Sequence, residues 1–203
     1  MKENLLEFYV NKFCFADSLE DIDISFIPPI LRRKTTNIDK VALSLMNKTY
    51  SEDIQNIVFS SQFGEVERLL KIIDQYTIDK ETSPNVFSAS VHNYPVSFFL
   101  LNIKKSIPYT ALSGTNSTIT MSLITSVVSD YNNTLFCFCD VNKGKTEGLA
   151  LNISKKPVQN ADKYILSIKN EENKTDDFRG YVELFNKNTN YLETPLYIIE
   201  RAG

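Results

Sequence analysis

Ser113 is the residue best placed for nucleophilic chemistry, because it stands between a predicted strand and a predicted helix. Residues 108–112 have the pattern of a strand, Ser113 and Gly114 suit a tight turn, and residues 115–129 have the composition of a buried helix. At such an elbow, free backbone N–H groups and the helix dipole stabilise an alkoxide, a thiolate or an oxyanion. The turn offers only Leu112 and Ser113, and the motif GxSxG is absent. The simpler interpretation is that Ser113 is a turn serine that helps to cap the helix.

His92 is the only histidine in the sequence, and so the only imidazole that could act as a general base for Ser113. General-base catalysis requires the nucleophile within hydrogen-bond reach and usually a carboxylate that orients the imidazole. No carboxylate lies near His92 in the sequence, although one could come from elsewhere in the fold. The alternatives are therefore a catalytic Ser113–His92 pair and a buried histidine held by hydrogen bonds.

Two further segments could bind a ligand or a partner. Arg32, Arg33 and Lys34 form the densest basic cluster, and they could hold a phosphate or an acidic partner such as an acyl carrier protein. The aromatic and aliphatic residues 94–101 could line an apolar pocket. Each segment also has a simpler interpretation, which is a solvated basic stretch for the first and core packing for the second.

The composition excludes several classes of protein. A net charge of −3 gives no basic surface for nucleic acid or for an anionic membrane. No run of about 18 strongly apolar residues exists, so we expect no transmembrane segment, and the charged N-terminal residues do not suit a signal peptide.

Cys14, Cys137 and Cys139 cannot all pair with one another, and we expect reduced buried thiols in a cytoplasmic protein. With a single histidine, we expect no metal site, and we expect no cofactor.

Hydrophobic periodicity and turn residues predict alternating strands and helices in the first two thirds of the chain. A helix is expected after a cap at Thr36 or Asn37, and the segment 26–33, which contains Pro28 and Pro29, is expected to be extended. The other expected elements are helices at 64–76 and 181–186, a solvated hinge at 171–177, and strands at 6–15, 56–61, 134–140, 148–154, 163–169 and 196–200. Consecutive late strands predict antiparallel additions to a partly parallel sheet, so the fold class is α/β with a mixed sheet.

Two of these helices carry specific expectations. In the helix at 64–76, we expect the apolar side to face the core and the charged side to face solvent. The expected inward residues are Val66, Leu69, Leu70 and Ile73, and the expected outward residues are Glu65, Glu67, Arg68, Lys71 and Asp74. Between Thr82 and Ser129 the chain carries only two charges, on Lys104 and Lys105. Because the helix at 115–129 has no charged stripe, we expect layers of the fold to cover it on all sides.

Several sequence blocks resemble the short β-ketoacyl-synthase-like proteins of aryl polyene and flexirubin-type pigment pathways. The blocks are FSSQFGE at 59–65, SPNVFSASVHN at 83–93 and PYTAL at 108–112, and the segment IPPILRR at 27–33 fits the same family. The block at 83–93 is the most specific, and the resemblance is strongest over residues 20–140. We treat residues 1–203 as a single ketosynthase-like domain.

The resemblance implies a thiolase-like layered α/β fold that corresponds to the N-terminal half of a ketosynthase, with a mixed sheet and a buried central helix. A complete ketosynthase carries its acyl-accepting cysteine at the elbow and takes two histidines from its second half. Here the matched elbow positions are Leu112 and Ser113, and no histidine follows His92. The resemblance therefore implies no catalytic residues here and no condensation of acyl groups by this chain alone.

The implied function is that of a chain-length-factor-like subunit that pairs with a complete β-ketoacyl synthase in polyene or fatty-acid-type elongation. The residues expected to form one wall of the acyl tunnel are Phe87, Val91, Tyr94, Phe98 and Leu112. Arg32, Arg33 and Lys34 are expected to help dock the acyl carrier protein. A homodimer is expected where the ketosynthase is missing. The alternatives are a serine acyltransferase or thioesterase that uses Ser113 and His92, and an acyl-binding module without a partner synthase.

Overall fold

The computed structural model describes residues 5–169 and 175–202. Its strands are β1 Leu5–Ala16, β2 Asn56–Ser60, β3 Tyr109–Leu112, β4 Asn133–Asn142, β5 Lys145–Ser154, β6 Asp162–Ile168, β7 Tyr191–Glu193 and β8 Tyr197–Ala202. Its α-helices are α1 Pro29–Arg32, α2 Asn37–Thr49, α3 Val66–Asp79, α4 Pro84–Ser88, α5 Tyr94–Ile103, α6 Thr118–Val128 and α7 Phe178–Phe185. A 3-10 turn at Thr115–Ser117 leads into α6.

These strands form one sheet in the order β3-β2-β4-β5-β1-β6-β8-β7. Strand β2 is parallel to β3 and to β4, and every other pairing is antiparallel. Helices connect the parallel strands, as a parallel pair requires. The mixed sheet expected from the sequence is therefore confirmed. β3 lies at one edge, and its outer side has no neighbour among the described strands.

Helices cover both faces of this sheet, and alternation along β4 shows how. Leu135, Cys137 and Cys139 face α2, which packs on β1, β4 and β5 and carries α5 on its outer side. Phe136 and Phe138 face the opposite side, in a core that includes residues of α6 and α7. Cys137 and Cys139 are buried free thiols on one face, as the sequence predicts.

Helix α2 is fixed at its start by a capping box and along its length by close contact with the sheet. The backbone N–H of Thr36 donates to Asp39 Oδ2 (2.9 Å), and the N–H of Asp39 donates to Thr36 Oγ1 (3.4 Å), which confirms the cap at Thr36. A Cβ atom on Gly148 would lie 2.6 Å from Leu45 Cδ1 and 2.7 Å from Val41 Cγ1. A side chain at Gly148 would therefore push α2 away from the sheet.

The segment before α2 corrects one expectation. Pro28 is extended, but Pro29–Arg32 form the short helix α1, so the expectation of an extended segment over 26–33 is wrong from Pro29 onward. Proline suits the first helical position, because its missing N–H would have no partner there and its fixed φ already fits the helix. The apolar residues 94–101 belong to α5, which buries Val96 and Phe99. Core packing, the simpler interpretation of that segment, is thus confirmed for these residues.

Helix α6 is the expected charge-free helix, and it lies on the sheet beneath the parallel strands. Ile119, Leu123 and Val127 are buried in the core that α6 shares with α7. Met121 and Val128 lie on the opposite side of α6 and are exposed. The expectation that layers of this chain cover α6 on every side is therefore wrong, because one side is buried and the other is open.

The N-terminus of α6 is capped by a residue from the predicted hinge. Asp176 accepts hydrogen bonds from the backbone N–H groups of Ile119 (2.6 Å) and Thr120 (3.2 Å) and from the hydroxyl of Thr120. Its own N–H donates to the carbonyl oxygen of Asn116 (2.8 Å). Asp176 is partly buried, so the prediction of a solvated hinge is wrong at this residue, while 171–174 lie outside the described residues.

Candidate functional site

The candidate site lies at the C-terminal ends of the three parallel strands. In the register of the sheet, Ser60 at the end of β2 pairs with Leu112 at the end of β3 and with Phe138 of β4. The β2–α3 turn and the elbow between β3 and α6 therefore lie side by side. Asp140, two residues beyond Phe138 on β4, completes this edge.

Asp140 holds the β2–α3 turn in place. Its carboxylate accepts hydrogen bonds from Ser61 Oγ (2.5 Å) and from the backbone N–H groups of Gln62 (3.0 Å) and Phe63 (3.1 Å). Burial raises the pKa of Asp140, and these three donors offset part of that rise. Because its oxygens are already bound to the turn, Asp140 acts as a structural acceptor.

His92 connects the same turn to the elbow. Its Nε2 lies 3.0 Å from the carbonyl oxygen of Leu112, so Nε2 carries the proton and donates it. The ring packs against Phe59, with centroids 5.8 Å apart. Gly64 has φ +61°, and a Cβ atom there would lie 3.0 Å from His92 Nδ1. His92 is thus a structural histidine that packs against the turn at Gly64. The geometry agrees with a histidine held by hydrogen bonds and not with a catalytic Ser113–His92 pair.

Ser113 is exposed and does not pair with His92. Its hydroxyl donates to the carbonyl oxygen of Gln62 at 3.4 Å. The N–H of Gly114 donates to Thr118 Oγ1 (3.0 Å), and the first free N–H groups of α6 are bound by Asp176. An activated serine hydroxyl is hydrogen-bonded to its base, whereas the Ser113 hydroxyl bonds to a backbone carbonyl and the described hydrogen bonds of His92 do not include it. This geometry does not support the serine acyltransferase or thioesterase hypothesis.

The residues predicted to line the acyl tunnel lie in three different environments. Phe87 and Val91 are exposed at and just after α4. Tyr94 and Leu112 are partly buried, and the Tyr94 ring packs on Phe98, with centroids 5.6 Å apart. Phe98 is buried in the core beside α2. The structure therefore leaves Phe87, Val91, Tyr94 and Leu112 accessible, and it places Phe98 behind Tyr94.

The basic cluster is also divided. Arg32 folds back on its own loop, where Nε donates to the carbonyl oxygen of Ile27 (2.5 Å) and Nη2 to that of Ser25 (3.0 Å). Arg33 and Lys34 are exposed, and they border a surface pocket of about 350 Å³ that also contacts α3 and Tyr94. Arg33 and Lys34 are therefore free to meet an acidic partner, whereas Arg32 is committed to the loop.

Helix α3 departs from the sequence prediction because Arg68 and the preceding Glu65 are buried, whereas Glu67, Lys71 and Asp74 are exposed as expected. Arg68 Nη2 lies 2.8 Å from Asp39 Oδ2, and Arg68 Nε lies 3.4 Å from Glu65 Oε2. The hydroxyl of Thr36 also donates to Glu65 Oε2 (3.1 Å), and the guanidinium lies 5.0 Å from the centroid of the Tyr94 ring. The buried side of α3 is thus a polar anchor to the start of α2.

Glu65 is the most perturbed carboxyl group of this anchor. Burial, followed by the nearby carboxyl of Asp39, raises the pKa of Glu65 to about 9, and Arg68 offsets only part of the rise. Two carboxyl groups therefore share one guanidinium, and Glu65 is protonated at neutral pH. Sequence reasoning missed this cluster, although the i,i+3 spacing of Glu65 and Arg68 was a visible signal.

The apolar side of α3 faces solvent. Leu69, Leu70, Ile73 and Tyr76 are between 49 and 57 % exposed, and we call these four residues the α3 stripe. Glu65 and Arg68 are 4 and 9 % exposed. The expected inward orientation of Leu69, Leu70 and Ile73 is therefore wrong, as is the outward orientation of Glu65 and Arg68. The reason is that the ion pair with α2, and not the apolar side, attaches this helix to the body.

Two further features of the described residues concern metal binding and membrane insertion. Within 5–169 and 175–202, no group of three or more His, Cys, Asp or Glu side chains is arranged to hold a metal ion. No helix of that part of the chain is long and apolar enough to cross a membrane.

The mixed sheet, its two helix layers and the elbow between β3 and α6 define the thiolase-like ketosynthase fold. The family of the β-ketoacyl synthase N-terminal domain matches residues 9–140, and the chain belongs to that family. A solved structure with the same fold is a ketosynthase (ApeO) in complex with its chain length factor (ApeC) from Xenorhabdus doucetiae. The identity is 15 %, the match covers 86 % of this chain and 82 % of that one, and the TM-score is 0.68.

A second solved structure is less similar to the chain. An HMG-CoA synthase complexed with CoA is 12 % identical over 82 % of this chain and 45 % of that one, with a TM-score of 0.39. No curated protein matches the chain.

Proposed function

We propose that this chain is a non-condensing ketosynthase-like subunit that pairs with a complete β-ketoacyl synthase. The proposal rests on the residues at the elbow between β3 and α6. Leu112 and Ser113 stand where a condensing member of the family needs its nucleophile, and His92 is bound to the carbonyl oxygen of Leu112. The amides of Ile119 and Thr120 at the start of α6 are bound by Asp176, and the amide of Gly114 is bound by Thr118 Oγ1. A chain with this elbow needs a partner that supplies the acyl-accepting residue.

Two open surfaces support the pairing. The outer edge of β3 offers unpaired backbone groups, and Tyr109 and Thr110 are exposed there. Proteins usually protect such an edge, and a strand from another chain is one way to cover it. On the adjoining α6, Met121 and Val128 form an exposed apolar side that carries no charge. We propose that the partner ketosynthase covers both surfaces.

The remaining residue roles follow from this pairing. Phe87, Val91, Tyr94 and Leu112 would form one wall of an acyl tunnel shared with the partner, with Phe98 supporting Tyr94 from the core. Arg33 and Lys34 would meet the acidic surface of an acyl carrier protein. We assign these roles to a single domain of residues 1–203, which acts in the cytoplasm. The pathway that the sequence resemblance favours is elongation of an aryl polyene or flexirubin-type chain.

Reconstitution of chain elongation tests the proposal. A complete β-ketoacyl synthase from the same organism is incubated with acyl and malonyl carrier protein, with and without the chain, and the products are measured by mass spectrometry. We expect elongation only with both proteins present. Ser113→Ala serves as the matched control and should elongate as the wild type does. Equal product length and yield with and without the chain would refute the proposed role.

A further inference from the structure

The α3 stripe is the most unusual apolar surface of the described chain. Leu69, Leu70, Ile73 and Tyr76 recur at helical spacing and face solvent, because Arg68 and Glu65 turn the other side of α3 inward. Every residue from 73 to 81 is exposed, so the second half of α3 projects from the body. Contiguous exposed apolar residues of this kind mark interaction sites in soluble proteins.

Contacts between neighbouring elements link the stripe to the end of β3. Helix α3 packs against α4, where Phe87 is 60 % exposed, and Val91 follows with 45 % of its surface exposed. The next residue, His92, donates to the carbonyl oxygen of Leu112, the last residue of β3. Exposed apolar side chains therefore occur on α3, on α4 and next to His92, which contacts the end of the open edge strand.

The size of a stable interface indicates that strand pairing at β3 needs such additional surface. A durable protein–protein interface involves roughly 20–30 residues on each side, and obligate ones bury more than about 2,000 Å². Strand β3 has only four residues, Tyr109–Leu112. A partner held by this edge must therefore bury neighbouring apolar surface, which the exposed side of α6 and the stripe with α4 both offer.

We propose that the α3 stripe is a docking surface for the complete ketosynthase subunit, an inference that rests on the proposed function. The ketosynthase would pair with the β3 edge and extend over α4 onto Leu69 and Ile73. The buried Arg68–Asp39 pair fixes the orientation of α3, so the stripe is presented before the partner arrives. Preorganisation of this kind lowers the ordering cost of association.

Capture of the co-expressed ketosynthase tests this surface. The probe is a tagged complete ketosynthase from the same organism, and the variant is Leu69→Glu/Ile73→Glu. Val158→Glu is the matched control, because Val158 is an exposed apolar residue in the loop between β5 and β6, strands that are not neighbours of β3. We expect at least tenfold weaker capture of the stripe variant and wild-type capture of the control. Circular dichroism and thermal unfolding should be the same for all three proteins.

Three other outcomes would overturn the inference. If the stripe variant is captured as well as the wild type, the stripe is not the docking surface, and the proposed pairing still stands. If the wild type is not captured either, the pairing and the docking surface both fail. If the variant changes only the mass of the isolated chain, from dimer to monomer, the occupant of the stripe is a second copy of the chain.

Discussion

Arg68 and Asp39 form a buried ion pair, with Nη2 2.8 Å from Oδ2, on the side of α3 that faces the protein body. This pair, together with Glu65, explains why the apolar side of α3 is left in solvent. Buried ion pairs rarely add much stability over apolar side chains, but loss of one partner is costly because the other charge stays buried without compensation. The pair therefore sets the orientation of the helix.

Removal of the cation should strongly destabilise the fold. Arg68→Met leaves Asp39 and Glu65 buried without their guanidinium, and we expect a loss of about 3–5 kcal/mol in the free energy of unfolding. The measurement is equilibrium unfolding in urea. Lys71→Ala is the control, because the exposed Lys71–Glu67 pair of the same helix should contribute only about 0.3–0.5 kcal/mol. Equal effects of the two substitutions would show that the buried pair does not anchor α3.

The raised pKa of Glu65 predicts a pH dependence of stability. The folded protein keeps the Glu65 proton up to about pH 9, whereas the unfolded chain releases it near its ordinary pKa of 4.5. Between these values the folded state binds more protons, so its stability falls as pH rises. Glu65→Gln has no proton to lose, and its unfolding free energy should fall less between pH 5 and 9. Parallel pH profiles for the two proteins would contradict the buried, protonated state of Glu65.

Asp176 should stabilise α6 although it lies far away in the sequence. Asp176→Ala removes the acceptor of the Ile119 and Thr120 amides, and loss of a helix cap typically costs about 0.5–2 kcal/mol. Urea unfolding measures the change. Asp130→Ala, at an exposed position just after α6, should shift stability by no more than about 0.5 kcal/mol. If both variants unfold alike, the Asp176 cap contributes nothing.

The isolated chain should not accept an acyl group. The Ser113 hydroxyl bonds to the carbonyl oxygen of Gln62, and the described hydrogen bonds of His92 do not include Ser113. Intact mass spectrometry after incubation with acyl carrier protein should show unmodified chain, and malonyl thioesters should not be decarboxylated. A stable acyl adduct that disappears in Ser113→Ala would establish a serine enzyme instead.

Local patterns predicted much of the fold, and long-range contacts explain the errors. Alternation in β4 correctly placed Cys137 and Cys139 on one face, and the capping signal at Thr36 correctly started α2. Amphipathic spacing in α3 identified its apolar side, but spacing does not reveal whether the core or solvent lies on that side. The orientation depends on Asp39, which is 29 residues from Arg68.

The sequence predicted where the candidate site lies, but it did not predict which hydrogen bonds its residues make. The strand–turn–helix pattern placed the elbow at Leu112 and Ser113, and it lies there. The partner of His92 is a backbone carbonyl 20 residues away, and Asp176 caps a helix 57 residues before it. No local pattern specifies such contacts, since they arise only when the sheet brings the parallel strand ends together.

Light scattering of the purified chain mixed with a complete ketosynthase tests directly whether the two proteins pair. The mass of each protein alone is compared with that of an equimolar mixture after size-exclusion chromatography. We expect a new species that contains both subunits in equal numbers and persists on dilution. Two proteins that elute and scatter separately, with masses unchanged by mixing or co-expression, would contradict it.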